Sequence, residues 1–456
     1  MKNKMLLTLA LGLAGATSLL ATTVDVYITG STAFRANVYT ACTKLYTGGT
    51  PTAIYFGDAT HGGANSGFSS GTAAWVMTGT PVSTLTNLAG VTLNVHGLFT
   101  GSIQGIQTVE QITKLTFPNV GGVNTNGGLC GAYATNSPTI GFSDASGSAS
   151  PYTALGNYLE ENVCVLPFIM VKSVGSGFAA NVMTNLNNVS WEQLESAIPA
   201  GRLPLSAWTY NGADTNTWVY LLQRTLDSGT RRCETAQEYY QYGDPVGTYI
   251  YDTTANNFFY PTQSVLTASS AGLAPNGVVG AAGLNSVNLN WGYGYVGGGD
   301  IKNALNSAGT SNTSLSYLSF SDGKGVGASN WANVVTFNGI WPTAAGAGLR
   351  GNTGTNDFSP ITSGFYPCWG LEVLVHPIDP SLVGDQNITK NQLGNQSKPG
   401  SFLGVFNAQT FINGGSPIVG SIENEIELSK TGGATAIRLS DMKSNRSAVG
   451  GTISPF

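Results

Sequence analysis

Three times in this chain a short apolar strand pattern runs into a turn of Gly with Ser or Thr and then into a helix pattern. Val24, Val26 and Ile28 alternate as on one face of a strand, Gly30-Ser31-Thr32 follows, and Ala33 to Tyr46 has helical character. Val91, Leu93 and Val95 repeat the strand pattern. Gly101-Ser102 then opens a run with Ile103, Ile106, Val109 and Ile112 at three-residue steps, an amphipathic helix. Trp218 to Leu222 forms a third apolar run. It is followed by Arg224, by Asp227-Ser228-Gly229-Thr230 and by a polar segment from Arg231 to Tyr240 that reads as a helix. Strand–turn–helix units in series predict an α/β architecture.

The turns carry the chemistry. A helix entrance presents unpaired backbone N–H groups and partial positive charge, which suits an anion. Ser and Thr hydroxyls add donors there, and Gly lets a ligand approach the backbone. Any one such turn is also an ordinary helix cap. Three of them at strand ends, where α/β sheets bind ligands, point to an anion site. Arg224, four residues before Ser228, could form charge-assisted hydrogen bonds to an oxyanion held there; the alternative is a surface arginine beside a cap. Asp144, in Gly141-Phe142-Ser143-Asp144, follows Thr139-Ile140, which reads as a strand end. A carboxylate near an anion repels it unless the anion brings a hydrogen for the carboxylate to accept. The alternative is an Asp turn.

Composition narrows the class. Charged residues make up 9% of the 456, against roughly 25% in ordinary soluble chains. The 61 glycines and the net charge of −5 exclude the basic face a general nucleic-acid binder needs. The three histidines, His61, His96 and His376, lie in no metal-ligand spacing, so neither a metal site nor a cofactor is expected. A secreted phosphatase needs a metal cluster or an activated nucleophile, and neither is evident; the chain is not expected to be an enzyme. The five cysteines, Cys42, Cys130, Cys164, Cys233 and Cys368, leave at least one thiol unpaired and form no C-x-x-C.

The N-terminal 1–21 segment reads as a signal peptide: Lys2 and Lys4, an apolar run from Met5 to Leu20, then Ala21 before Thr22. The alternative is a membrane anchor. No later run reaches 18 apolar residues, so the mature chain is expected to be soluble and periplasmic, secreted or at the cell surface. Residues 47–90, 116–140 and 265–300 are crowded with Gly, Thr, Asn and Ser and read as long surface insertions or small decorations. After about residue 380 the chain is polar and weakly periodic.

Four of these segments together resemble the phosphate-binding proteins of bacterial ABC transporters, a family within the type II periplasmic binding protein fold. ITGSTAFR (Ile28 to Arg35) is similar to the first phosphate loop. TGSIQGIQ (Thr100 to Gln107) resembles the G-S-x-x-G-I helix entrance, and GFSDAS (Gly141 to Ser146) the loop ending in Ser-Asp. RTLDSGTR (Arg224 to Arg231) resembles R-x-x-x-S-G-T and is the most specific match. VLPFIMV (Val165 to Val171), VSWEQLESAIPAGRLPLSAW (Val189 to Trp208), LSYLSFSD (Leu315 to Asp322) and YPCWGLEVLV (Tyr366 to Val375) follow in the family's order. The resemblance spans about residues 24–376.

The resemblance implies a two-lobed α/β fold with Gly/Ser/Thr-rich insertions and a C-terminal extension. Residues 22–165 plus 316–456 would form lobe 1 and 166–315 lobe 2. Ser31, Thr32 and the N–H groups of Ala33 and Phe34 would donate to phosphate from the first entrance, and Ser102 from the second. Asp144 would accept the anion's proton, and Arg224 would pair with its charge. Ser228, Gly229 and Thr230 would donate from the opposite lobe. The implied function is capture of phosphate, or a similar tetrahedral oxyanion, for a membrane permease. Arg35 and Arg231-Arg232 add positive charge that favours a larger or more charged anion; the alternative is that they are rim residues. The competing reading is a structural or adhesive surface protein built on the same fold.

Overall fold

The computed structural model describes residues 22–58, 67–68, 72–121, 126–152, 158–174, 184–241, 243–244, 246–252, 257–259, 294–295, 297–307, 313–327, 333–344, 357–410, 415–416, 418–429, 435–446 and 453–455. Residues 1–21, read above as a signal peptide, His61 and most of the 265–300 stretch lie outside them.

In the first part of the chain the main elements are β1 (Thr23–Gly30), α1 (Arg35–Thr43), β2 (Ala53–Phe56), β3 (Ala74–Gly79), β4 (Thr92–Leu98), α2 (Ser102–Glu110), β5 (Leu115–Asn119), β6 (Ala132–Asn136) and β7 (Ile140–Ser143). Next come β8 (Tyr158–Lys172), β9 (Asn188–Val189), α3 (Trp191–Ala200), β10 (Arg202–Pro204), α4 (Leu205–Thr209), β11 (Trp218–Leu221) and α5 (Gly229–Gln237). The last are β12 (Ile250–Asp252), β13 (Asn257–Phe259), α6 (Gly298–Ser307), β14 (Thr313–Ser319), β15 (Val334–Phe337) and β16 (Trp369–Pro377).

The α/β class follows. One mixed sheet runs β10-β11-β14-β8-β16-β7-β1-β4-β3-β2, with β15 also beside β8 and β9 beside β15. β1 pairs in parallel with β4 and β7, and β11 in parallel with β14. The 15-residue β8 joins the two groups. Its first part pairs with β16 in the first half of the sheet, and Phe168 to Lys172 pair with β14 in the second. From Val163 onward every residue of β8 is buried, which explains the unbroken apolar run there.

α2 lies on β1 and β7 at backbone contact. A Cβ on Gly105 would sit 2.6 Å from the Gly30 Cα and 2.8 Å from the Phe142 oxygen. No larger residue fits between helix and sheet, so glycine here fixes how closely Ser102 approaches the strand ends.

One expectation fails. The 47–90 stretch is not an insertion: β2 and β3 extend the main sheet, and all of β3 except Thr78 is buried. Trp75 lies over Gly97 of β4, and this packing holds a strand whose sequence has few β-branched residues. Residues 116–140 contain the β5–β6 hairpin, a two-stranded sheet of its own apart from the main one, as a small decoration would be. The chain after residue 380 packs into the first half. Phe402, Phe406, Ile422 and Ile426 are buried, and Phe406 meets Phe142 edge-on at 6.2 Å. Asp385 Oδ2 accepts from the Ser137 N–H (3.1 Å), and Asn387 Oδ1 accepts from the Asp25 N–H (2.8 Å).

Candidate functional site

The three helix entrances meet at Asp144, one residue past β7. Ser31 follows β1, and its N–H donates to the Phe142 oxygen at 2.9 Å, which ties the turn to β7. Its hydroxyl donates to Asp144 Oδ1 and accepts from the Phe34 N–H at 3.2 Å. Ser102, the first residue of α2, donates to the same oxygen at 2.9 Å. Thr230, in the first turn of α5, donates to Asp144 Oδ2 at 2.9 Å. Residues 31, 102 and 144 follow strands of the first half, whereas Thr230 follows β11 of the second. The carboxylate therefore bridges the two halves, and all four side chains are buried.

α5 starts at Gly229, two residues before its expected start, because the Ser228 hydroxyl caps it by accepting from the Arg231 N–H (3.3 Å). α2 and α5 approach end to end: the Ile103 N–H donates to the Asp227 carbonyl at 3.0 Å. Gly229 is packed into this junction.

Arg224 is 4% exposed. Its Nε donates to the Tyr295 carbonyl (3.2 Å), and its Nη2 donates to Thr32 Oγ1 (3.3 Å), again across the two halves. Burial pulls its pKa below the ordinary value, opposed by Asp144, Asp322 and Asp300 and reinforced by Arg35. Arg35 is half-buried and feels Asp322 and Asp300 as well. Burial raises Asp300 above the ordinary carboxylate range. Its Oδ2 accepts from the Gly297 N–H at 2.9 Å, and Asp322 Oδ2 accepts from the Ser319 hydroxyl at 3.1 Å.

Tyr295, Asp300 and Asp322 were not among the expected site residues. Tyr295 acts through its backbone oxygen, which no motif records. Arg231 is buried rather than at the rim, and Arg232 is half-buried. Arg231 is 3% exposed and donates from Nη1 to the Arg224 carbonyl (3.0 Å). Arg232 donates from Nε to the Ala149 carbonyl (2.8 Å) and from Nη1 to the Tyr240 carbonyl (2.6 Å).

Elsewhere, His96 stacks on Tyr27 and shares a hydrogen bond with Asp25 Oδ1 at 3.1 Å. His376 Nε2 lies 3.7 Å from Glu161 Oε1. All five cysteines are free and buried. Among the described residues no cluster of ligating side chains suits a metal ion, and no helix is long and apolar enough to cross a membrane.

The site thus offers hydroxyl donors from both halves, the buried guanidinium of Arg224, three helix entrances and one carboxylate acceptor. That set can hold an anion which also donates a hydrogen bond.

No protein-family model matches this chain, and no curated protein matches it. Among solved structures, it is similar to a Clostridium perfringens protein assigned as a phosphate ABC transporter substrate-binding protein and solved with phosphate bound. The identity is 10%, the TM-score 0.37, and the match covers 78% of this chain and 86% of that one. An ABC-type phosphate transport receptor from Vibrio cholerae matches at 10% identity and TM-score 0.35, over 78% of this chain and 88% of its own. A phosphate-binding protein from Stenotrophomonas maltophilia matches at 13% identity and TM-score 0.31, over 80% of this chain and 81% of its own.

Proposed function

We propose that this chain is a two-lobed solute-binding protein that captures phosphate, or a similar protonated tetrahedral oxyanion, and delivers it to an ABC transporter permease. The observation that carries the reading is the convergence of Ser31, Ser102 and Thr230 on Asp144, with Arg224 buried beside them. Lobe 1 is residues 22–165 plus 316–456, and lobe 2 is 166–315. β8 and β16 run along their junction, and closure about it brings Thr230 and Arg224 onto the first lobe.

The hydroxyls of Ser31, Ser102 and Thr230 donate to Asp144. An entering anion takes them over, together with the backbone N–H groups at the α2 and α5 entrances, including those of Gly229 and Thr230. Arg224 supplies the counter-charge. Asp144 then accepts the hydrogen that hydrogenphosphate carries. Sulfate has none at neutral pH, so it would face the carboxylate unpaired, which is the basis for selecting against it. With Asp300 and Asp322 close to Arg224, an anion of modest charge that brings its own hydrogen fits better than a highly charged one.

The reading places the mature protein in the periplasm or at the cell surface, after loss of residues 1–21, and assigns it no catalytic step. Calorimetric titration of ligand-stripped protein tests it. Phosphate should bind at one site, sulfate at least about tenfold more weakly, a difference of about 1.4 kcal/mol. Equal binding of both anions, or of neither, would refute it.

A further inference from the structure

Beneath the site lies a buried carboxyl group that the capture reading does not use. β16 runs against the loop that carries Asp144. A Cβ built on Gly370 would sit 3.0 Å from the Asp144 carbonyl oxygen and 2.7 Å from Cys233 Sγ. Side chains two apart on a strand share a face, so Glu372 is directed to the same side. Its strand neighbour is Cys164 of β8. Directly after it the register shifts at a bulge, and the next residue, Val373, stands opposite Ser143, which precedes Asp144. Glu372 is fully buried, no N–H or O–H donor reaches either of its carboxyl oxygens, and its side chain lies within hydrogen-bonding reach of the Asp144 carboxylate.

Among the described residues the titratable groups facing Glu372 are Asp144 from the loop after β7, Cys164 from β8 and Cys233 from α5; Arg446 lies beyond Cys233. None of these facing groups is a cation. Two carboxylates in one dry site cannot both be ionised, so one keeps a proton. Asp144 has three hydroxyl donors to stabilise its charge and Glu372 has none, which leaves the proton on Glu372. Burial first, and the Asp144 charge second, push the Glu372 carboxyl well above the ordinary range.

We propose that Glu372, as a neutral acid, is a positioning residue for anion capture: it keeps the floor of the cleft at one negative charge and donates to Asp144 a hydrogen bond that remains when the hydroxyls of Ser31, Ser102 and Thr230 turn to the ligand. This rests on Asp144 being the acceptor in the oxyanion site. It explains how a carboxylate that gives up its donors to an anion remains hydrogen-bonded inside a buried site.

The test is infrared difference spectroscopy of the full protein, joined to phosphate titrations of Glu372→Gln and Glu372→Met. At neutral pH the wild type should show a protonated-carboxyl C=O band that Glu372→Gln lacks. Adding inorganic phosphate should move that band to lower frequency, as the hydrogen bond to Asp144 strengthens on loss of the competing hydroxyl donors. Glu372→Gln keeps an N–H donor and should bind phosphate within about threefold of wild type, whereas Glu372→Met should lose about tenfold. If phosphate binds but the band is absent or does not move, or if Glu372→Met binds like wild type, the role of Glu372 is refuted and the capture reading stands. If the wild type binds no oxyanion, the capture reading falls, and this inference with it. Because the band is read on the wild type, the test does not depend on Glu372→Met folding.

Discussion

Gly229→Ala isolates closure of the two halves from the stability of either. Gly229 has ordinary helical geometry in the first turn of α5, so an alanine there suits the helix. Its Cβ, however, would lie 2.7 Å from Ser102 Cβ and 2.8 Å from Asp144 Cβ, both on the opposing half. Carbon atoms pack at about 3.5–4.0 Å, so each contact is short by roughly 1 Å. Neither partner atom can rotate away, because each is a Cβ fixed to its backbone. The halves must separate instead. Overpacking of this kind costs about 1–3 kcal/mol. Borne entirely by the closed state, that weakens phosphate binding by roughly 5- to 150-fold. Calorimetric titration reads the affinity, and a melt without ligand reads the fold. The ligand-free melt should drop by only a few degrees, since each half keeps its own core. A Gly229→Ala protein that binds phosphate as tightly as wild type would refute the reasoning, because binding would then not require this contact.

Other perturbations test separate parts of the account. Arg224→Ala should cost phosphate affinity about 2–5 kcal/mol in a titration, as loss of a buried charged partner does. Asp144→Asn should lower the preference for phosphate over sulfate about tenfold or more in paired titrations, because an amide N–H can donate to sulfate. Burial raises Glu234 to about 8, and burial with Glu234 nearby raises Glu238 to about 9. Both lie above the unfolded value of about 4.3, so the native state holds their protons longer. Stability is then full below about pH 4.3 and falls as pH rises toward 8–9, by up to about 1.4 kcal/mol per pH unit for each group. Denaturant melts across that range should show the decline, and Glu234→Gln should flatten it. Phe406→Ala, in the C-terminal segment, should cost about 3–5 kcal/mol in a denaturant melt if that segment is core rather than appendage.

The site was more legible than its surroundings, for a physical reason. Helix entrances advertise themselves through Gly, Ser and Thr after an apolar alternation, so Ser31, Ser102 and Ser228 could be placed at strand ends from local pattern alone. The order of those segments then pointed to Asp144. Contacts made by backbone atoms leave no such trace. The Tyr295 carbonyl that holds Arg224 is an example, and so is the Phe142 carbonyl that anchors Ser31. Asp300 and Asp322 come from distant segments, and only the closed sheet brings them near Arg224 and Arg35. β2 and β3 were hidden because a four-residue AIYF and a Gly-flanked AWVMTG have too little alternation to stand out. Their strand state comes from pairing and from Trp75 packing over Gly97. The C-terminal segment hid for the opposite reason: its anchors, such as Asp385 to Ser137 and Asn387 to Asp25, are polar side chains bonding across more than 200 residues.

The most direct test of the central claim is a thermal melt of protein stripped of ligand by unfolding and refolding, taken with phosphate, with sulfate and with neither. Phosphate at 100 times its dissociation constant should stabilise the fold by about 2.7 kcal/mol. At roughly 2–4 °C per kcal/mol, that is a rise of several degrees. The account predicts this rise with phosphate, little or none with sulfate, and none with phosphate in Arg224→Ala. A melt that no tetrahedral oxyanion moves would contradict it.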